Sequence, residues 1–323
     1  MRNLQELQAL FIGELEKRNF GENPKNLYEP FHYILALGGK RLRPVLTLLS
    51  CEAFGKPAEQ AMEAALGIEL LHNFSLIHDD IMDEAPLRRG KETVHQKWNL
   101  SIGILSGDAM VVEAFRQISK VDDSILREVN EVFAKAATEI CEGQQWDMDF
   151  ESRDDVTEEE YIKMIQFKTS VLLGAALQIG ARIGGADDVG AAQAYNFGLN
   201  LGTAFQIKDD ILDAFGDPEK FGKQVGGDIL SNKKTILLLH ALNSSDDSTQ
   251  SELENWLKTT DQPEAKVEAV KAIFERSGTV RYAEQRMEAY YRMALNNLDE
   301  CEVHGADVSV LRSFADYLYH RDH

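Results

Sequence analysis

The sequence predicts an all-α protein folded as a single domain, and three observations carry that reading. Apolar residues recur with the 3.6-residue period of a helix along most of the chain. No set of alternating apolar and polar runs reads as strands. A chain of 323 residues would ordinarily suggest about two domains, yet no linker separates them, so one helical bundle over residues 1–323 is expected.

The elements follow in order. The opening stretch MRNLQELQALFIGELEKRNF sets acids among its apolar positions, unlike a signal peptide, and no later stretch approaches the roughly 18 apolar residues of a membrane span. Helical periodicity then marks LLSCEAFG (48–55), AMEAALGIELLHNFSLIHDD (61–80), SVLLGAALQIGARIGG (170–185), AAQAYNFGLNLGTAFQIKDDILDAF (191–215) and KVEAVKAIFERSG (266–278), each ending near a glycine or a polar break. Several are apolar enough to lie inside a bundle. The segment NSSDDSTQSE (243–252) reads as a long solvated connection.

Composition narrows the function. Hydrophobic residues make up 44% and charged ones 27%, the balance of an ordinary globular chain. The net charge of -20 argues against a nucleic-acid surface and against general adhesion to anionic lipid. An anionic ligand must therefore meet a local basic cluster or metal ions. Cys51, Cys141 and Cys301 are far apart and odd in number, which suggests neither a disulfide framework nor a zinc site; they read as buried thiols of a cytoplasmic protein.

Two DDxxD motifs stand out, HDDIMDEA at 78–85 and KDDILDAF at 208–215. With 24 aspartates in the chain, one such motif arises by chance on the order of a tenth of the time and two far less often. The other adjacent pairs, Asp122-Asp123, Asp154-Asp155, Asp187-Asp188 and Asp246-Asp247, lack the third aspartate and lie in polar or glycine-flanked stretches, as turns and helix starts do. Burying unpaired carboxylates costs several kcal/mol, about what a counter-cation must offset. On a helix Asp79 and Asp83 are neighbours, with Asp80 roughly 100° round the axis. Such oxygens, with phosphate and water, are the ligands magnesium prefers. A merely solvated acidic face is the rival reading, and the apolar flanks oppose it.

Basic groups for a phosphate are concentrated too. GGKRLRP (38–44) offers Lys40, Arg41 and Arg43 before a proline suited to a first helical turn. LRRG (87–90) brings Arg88 and Arg89, whose planar forks suit phosphate oxygens. His72 precedes Asp79 by seven residues and shares its face. Lys168, Thr169 and Gln206 are polar groups in apolar helical stretches, costly there unless paired. Gly198 and Gly202 fall on the face of Asp209, where they either leave a channel for an apolar ligand or permit close helix packing. The stretch 216–235, with Lys223 and Lys233, reads as a lid.

Together these motifs, with EGQQWD, FKTS, FQIKDDILD, FGK and SNKKT, run in order from about residue 38 to the C-terminal DYLYHRDH, and the chain resembles the trans-isoprenyl diphosphate synthases. The resemblance implies an all-α fold of the isoprenoid synthase type around a central cavity, usually a homodimer, condensing an allylic diphosphate with isopentenyl diphosphate. It implies three Mg2+ ions, with Mn2+ as a substitute, held by Asp79, Asp80, Asp83, Asp209, Asp210 and Asp213. Arg88, Lys168, Lys223 and Lys233 would hold the allylic diphosphate, and Lys40, Arg43, His72 and Arg89 the isopentenyl diphosphate. Thr169 and Gln206 would turn their dipoles toward the allylic cation.

Residues four and five before the first aspartate form the cavity floor in that family; here they are Ser75 and Phe74. A phenylalanine and a serine there resemble a twenty-carbon rather than a fifteen-carbon producer. The first motif has two residues between Asp80 and Asp83 where many bacterial short-chain enzymes carry four. Two rivals remain on sequence alone: a class I terpene cyclase, and a non-catalytic subunit of a heteromeric prenyltransferase.

Overall fold

The computed structural model describes residues 1–216, 226–244 and 246–320. The all-α expectation holds: among the described residues the two-residue strands Leu87–Arg88 and Lys91–Glu92 are the only extended pairing, and they are antiparallel. Contacts divide the chain into two compact units. The first holds Met1–Ile140, Val171–Gly198 and Asn297–Leu311; the second holds Cys141–Ser170, Leu199–Asn296 and Arg312–His323.

The first unit is organised by the helix Met62–Met82. From Met62 to Leu71 every residue except Glu63 is buried, as a helix apolar on all sides requires. It packs along the helix Leu100–Ile118, whose start is fixed by Asn99 accepting the Ile102 N–H. The helix Leu42–Ala53 packs along Val171–Gly184, and the Ser50 hydroxyl donates to the Leu177 carbonyl at 2.7 Å.

The second unit has its own core, drawn from Phe150, Tyr161, Ile162, Ile165, Ile207, Leu237, Leu253 and Phe274 among others. Its helix Glu158–Ile165 opens with a capping box in which Thr157 and Glu160 satisfy each other's backbone N–H groups. No helix among the described residues is long and apolar enough to cross a membrane.

Three expectations are corrected, and one open alternative is decided. The segment 243–252 is no long connection: the helix Ile236–Ser244 extends into it, and Asp246 caps the helix Asp247–Lys258 by accepting the Ser248 and Thr249 N–H groups. Cys51 and Cys301 are buried, but Cys141 is exposed. The FKTS stretch is not ordinary helix, for Gln166–Ser170 forms a π turn. The two glycines before the second motif serve close packing. A Cβ at Gly198 would stand 2.8 Å from the Gly174 backbone, and one at Gly202 would stand 2.9 Å from the Ser170 side chain.

The packing role of Gly198 is testable. Gly198→Ala forces a backbone shift of the kind that costs about 1–3 kcal/mol, so the thermal midpoint should fall by roughly 1–5 °C. An open channel at this position would instead tolerate alanine, or gain from its helix propensity.

Candidate active site

In the first unit a cavity of about 300 Å³ is lined by Gly39, Lys40, Arg41, Leu42, Arg43, Glu69, His72 and Arg89. Four of these are the residues that sequence assigned to isopentenyl diphosphate. The placement of Lys40 and Arg43 depends on Arg41 between them, which caps the helix Leu42–Ala53 in a left-handed conformation, φ 49°. This backbone is unusual for a large side chain, and the Arg41 side chain holds it there. Only 7% exposed, its guanidinium donates to the Glu69 carboxylate and to the Leu35 carbonyl. Arg41 is therefore a structural ion pair, not the free phosphate donor its sequence neighbours suggested.

His72 and Arg43 meet in this cavity, with the Arg43 Nη1 3.3 Å from the His72 Nε2. Arginine can only donate, so the Nε2 is the acceptor and the imidazole is neutral. Burial, then the nearby guanidiniums of Arg43, Arg89, Arg88 and Arg41, hold its pKa well below the usual histidine value. The Arg43 Nε is buried with no hydrogen-bond partner among the described residues. An orphaned guanidinium donor in a cationic cavity is what an anionic ligand would satisfy. Arg89 reaches this cavity from the short hairpin and donates to the Gly38 carbonyl.

The first aspartate motif closes the Met62–Met82 helix. Asp80 is buried, Asp79 half-buried and Asp83 exposed at the C-cap. Arg88 pairs with the first two: its Nε donates to the Asp80 Oδ2 at 2.7 Å, and its Nη2 lies 2.7 Å from the Asp80 Oδ1 and 3.6 Å from the Asp79 Oδ2. Arg88 reaches back to the helix end from strand Leu87–Arg88. Just upstream, the Ser75 hydroxyl donates to the His72 carbonyl at 2.8 Å. The Phe74 ring packs edge-on against His78, their centroids 4.7 Å apart.

In the second unit, the second motif sits on the helix Asp188–Phe215. The buried Tyr161 hydroxyl donates to the Asp210 Oδ2. The Asp213 Oδ2 accepts the Asp228 N–H at 2.9 Å, which ties the motif to the segment carrying Lys233. Lys168 in the π turn pairs with Asp147 at 2.6 Å. Burial works against the Asp147 carboxylate, but the Lys233 and Lys168 ammoniums hold its pKa below the ordinary value. The turn is seated against Gly143, where a Cβ would lie 2.2 Å from the Lys168 backbone nitrogen; π turns are frequent at functional sites. Thr169 and Gln206 are half-buried, and Lys223 lies outside the described residues.

Among the described residues no three acidic, histidine or cysteine side chains converge closely enough to hold an ion unaided. The donor set still fits Mg2+, which retains waters and takes substrate phosphates beside one or two protein carboxylates. Sequence reasoning left Glu69, Asp147, Tyr161 and Asp228 without roles. Two of them carried a signal: Glu69 precedes His72 by three and Tyr161 precedes Lys168 by seven, both same-face spacings. Asp228 carried none, because its contact with Asp213 depends on tertiary folding.

The Asp210 carboxyl is pushed up to about 8, first by burial and then by the carboxylates of Asp228 and Asp209, against the opposing pull of Tyr161 and Lys233. The folded chain thus keeps a proton that the unfolded chain releases above its ordinary value of 3.8. Stability from this group is present at low pH and is lost as pH rises toward 8. Urea unfolding of the metal-free chain between pH 5 and 9 should show a loss of at least about 1.4 kcal/mol, the worth of one pKa unit. Asp210→Asn should flatten that slope; an equal slope in both proteins would remove the assignment.

The polyprenyl synthetase family model matches residues 24–275. A geranylgeranyl pyrophosphate synthase of Geoglobus acetivorans is 42% identical over 305 residues, covering 94% of this chain and 93% of that one. A short chain isoprenyl diphosphate synthase of Methanothermobacter thermautotrophicus is 40% identical, covering 93% and 92%. Among solved structures, a geranylgeranyl pyrophosphate synthase superposes with a TM-score of 0.93 at 47% identity over 100% of both chains. With its aspartate motifs and its basic cavity, the chain belongs to the polyprenyl synthetase family.

Proposed function

We propose that this chain is a Mg2+-dependent trans-prenyltransferase that condenses isopentenyl diphosphate head-to-tail with allylic diphosphates, with geranylgeranyl diphosphate as its main product. The observation that carries the reading is the cationic cavity of Lys40, Arg43, His72 and Arg89. A terpene cyclase has no second diphosphate to place there, and a non-catalytic subunit has no need to keep both aspartate motifs.

Each set of residues has a task in this reading. Lys40, Arg43 and Arg89 bind the isopentenyl diphosphate, whose oxygens satisfy the orphaned Arg43 Nε. The neutral His72 orients Arg43 through their contact. Arg88, Lys168, Lys223 and Lys233 bind the allylic diphosphate. The six aspartates of the two motifs hold three Mg2+ ions, with Mn2+ able to replace them, and bound metal supplies positive charge against the departing diphosphate. Thr169 and Gln206 direct their dipoles at the allylic carbon as positive charge develops on it, while apolar surroundings exclude water. No protein nucleophile is called for.

The chain acts as one domain of the family, in the cytoplasm, and as a homodimer. Support for the dimer comes from Leu100, Ile104, Leu105 and Val112, large apolar side chains 41–61% exposed on the helix Leu100–Ile118.

Mass analysis of products should find a twenty-carbon diphosphate when purified protein is given Mg2+, isopentenyl diphosphate and, in turn, dimethylallyl, geranyl or farnesyl diphosphate. No elongation of any primer would overturn the reading. If Phe74 forms the cavity floor, Phe74→Ala should lengthen the product; an unchanged distribution would remove Phe74 from that role.

A further inference from the structure

The described segment before Lys233 is shaped by Asn232, whose backbone is left-handed with φ 54°. Glycine and asparagine adopt this conformation most readily. Glycine would meet the backbone demand alone, so the asparagine side chain calls for an explanation of its own. Both of its ends are engaged. The Oδ1 accepts from the Lys266 Nζ at 2.7 Å, and the Nδ2 donates to the Leu257 carbonyl at 2.9 Å. An ammonium can only donate and a carbonyl only accept, which fixes the amide orientation.

Lys266 is 3% exposed within the helix Pro263–Arg276. A buried ammonium is costly unless hydrogen-bonded, and a hydrophobic residue would serve packing as well. Its retention beside Asn232 ties two helices to one loop residue: Leu257 lies in the helix Asp247–Lys258 and Lys266 in the next. The following residue is Lys233. Its N–H donates to the Asp228 carbonyl at 2.9 Å, and its own carbonyl accepts the Thr235 N–H at 2.8 Å. Lys233 lines one small pocket together with Asp210, Asp228 and Asn232.

We propose that Asn232 and Lys266 are positioning residues that hold Lys233 against the second aspartate motif, where it meets the allylic diphosphate. The inference rests on the assignment of Lys233 to that diphosphate under the proposed function. Neither residue touches the substrate; each acts through the loop backbone. Their worth lies in keeping a long, rotamer-rich lysine beside the Asp210 carboxylate with which it shares that pocket.

The test is a double-mutant cycle read in steady-state kinetics, varying each substrate separately. Asn232→Gly keeps the left-handed backbone and deletes both hydrogen bonds; Lys266→Met keeps the apolar stem and deletes the ammonium. Each should raise KM for the allylic diphosphate about tenfold, the worth of one hydrogen bond to a charged group, and leave KM for isopentenyl diphosphate unchanged. In a Lys233→Ala background, Asn232→Gly should add less than about twofold. Asn232→Asp, which keeps the acceptor for Lys266, should recover part of the loss. Equal rises in both KM values, or full additivity with Lys233→Ala, would make the pair merely structural and overturn the inference. Lys233→Ala with an unaltered allylic KM would instead remove the parent assignment. If Asn232→Gly fails to fold, Lys266→Met and Asn232→Asp decide on the same criteria.

Discussion

An uncompensated charge in a protein interior costs several kcal/mol, about as much as a single domain can spare, and the structure depends on how this chain meets that constraint. Asp80 has Arg88, Asp147 has Lys168, Glu69 has Arg41, and Asp210 has the Tyr161 hydroxyl. Each partner comes from the same compact unit as the acid it serves. A chain of net charge -20 can thus keep a cavity attractive to anions, because Glu69 offsets Arg41 while Arg43 and Arg89 are left facing the ligand space. Pairing also fixes geometry. The left-handed Arg41 backbone is held by its side chain, and that turn sends Lys40 and Arg43 into one cavity.

The same constraint explains which parts of the molecule were legible in sequence. Helical periodicity, the all-α class and the two aspartate motifs are local patterns, and they were readable because a helix repeats its environment every 3.6 residues. His72 was readable for the same reason. Arg41 was misjudged because three adjacent basic residues look alike in sequence, whereas a left-handed turn assigns each a different direction. Gly198 and Gly202 stayed ambiguous because a missing side chain reads equally as open space or as another helix's backbone; only Gly174 and Ser170, distant in sequence, decide between them. The π turn at FKTS and the Asp213–Asp228 contact depend on tertiary packing, for which no local spacing exists.

Under the proposed function, the pairings have a consequence for how ligands enter. Two opposite charges about 4 Å apart interact by roughly 4 kcal/mol at an effective dielectric constant of 20. Drawing Arg88 away to a phosphate with no cation to replace it leaves Asp80, 2% exposed, without compensation. Bringing a divalent cation to Asp80 without phosphate sets it beside the Arg88 guanidinium, so like charges oppose each other. Each half-step would be unfavourable by a few kcal/mol, whereas with both ligands present Arg88 would face a phosphate and Asp80 would face a cation, so that neither charge is left uncompensated. Ion pairs in the free chain therefore act as placeholders, and they favour entry of metal and diphosphate as one complex over either alone.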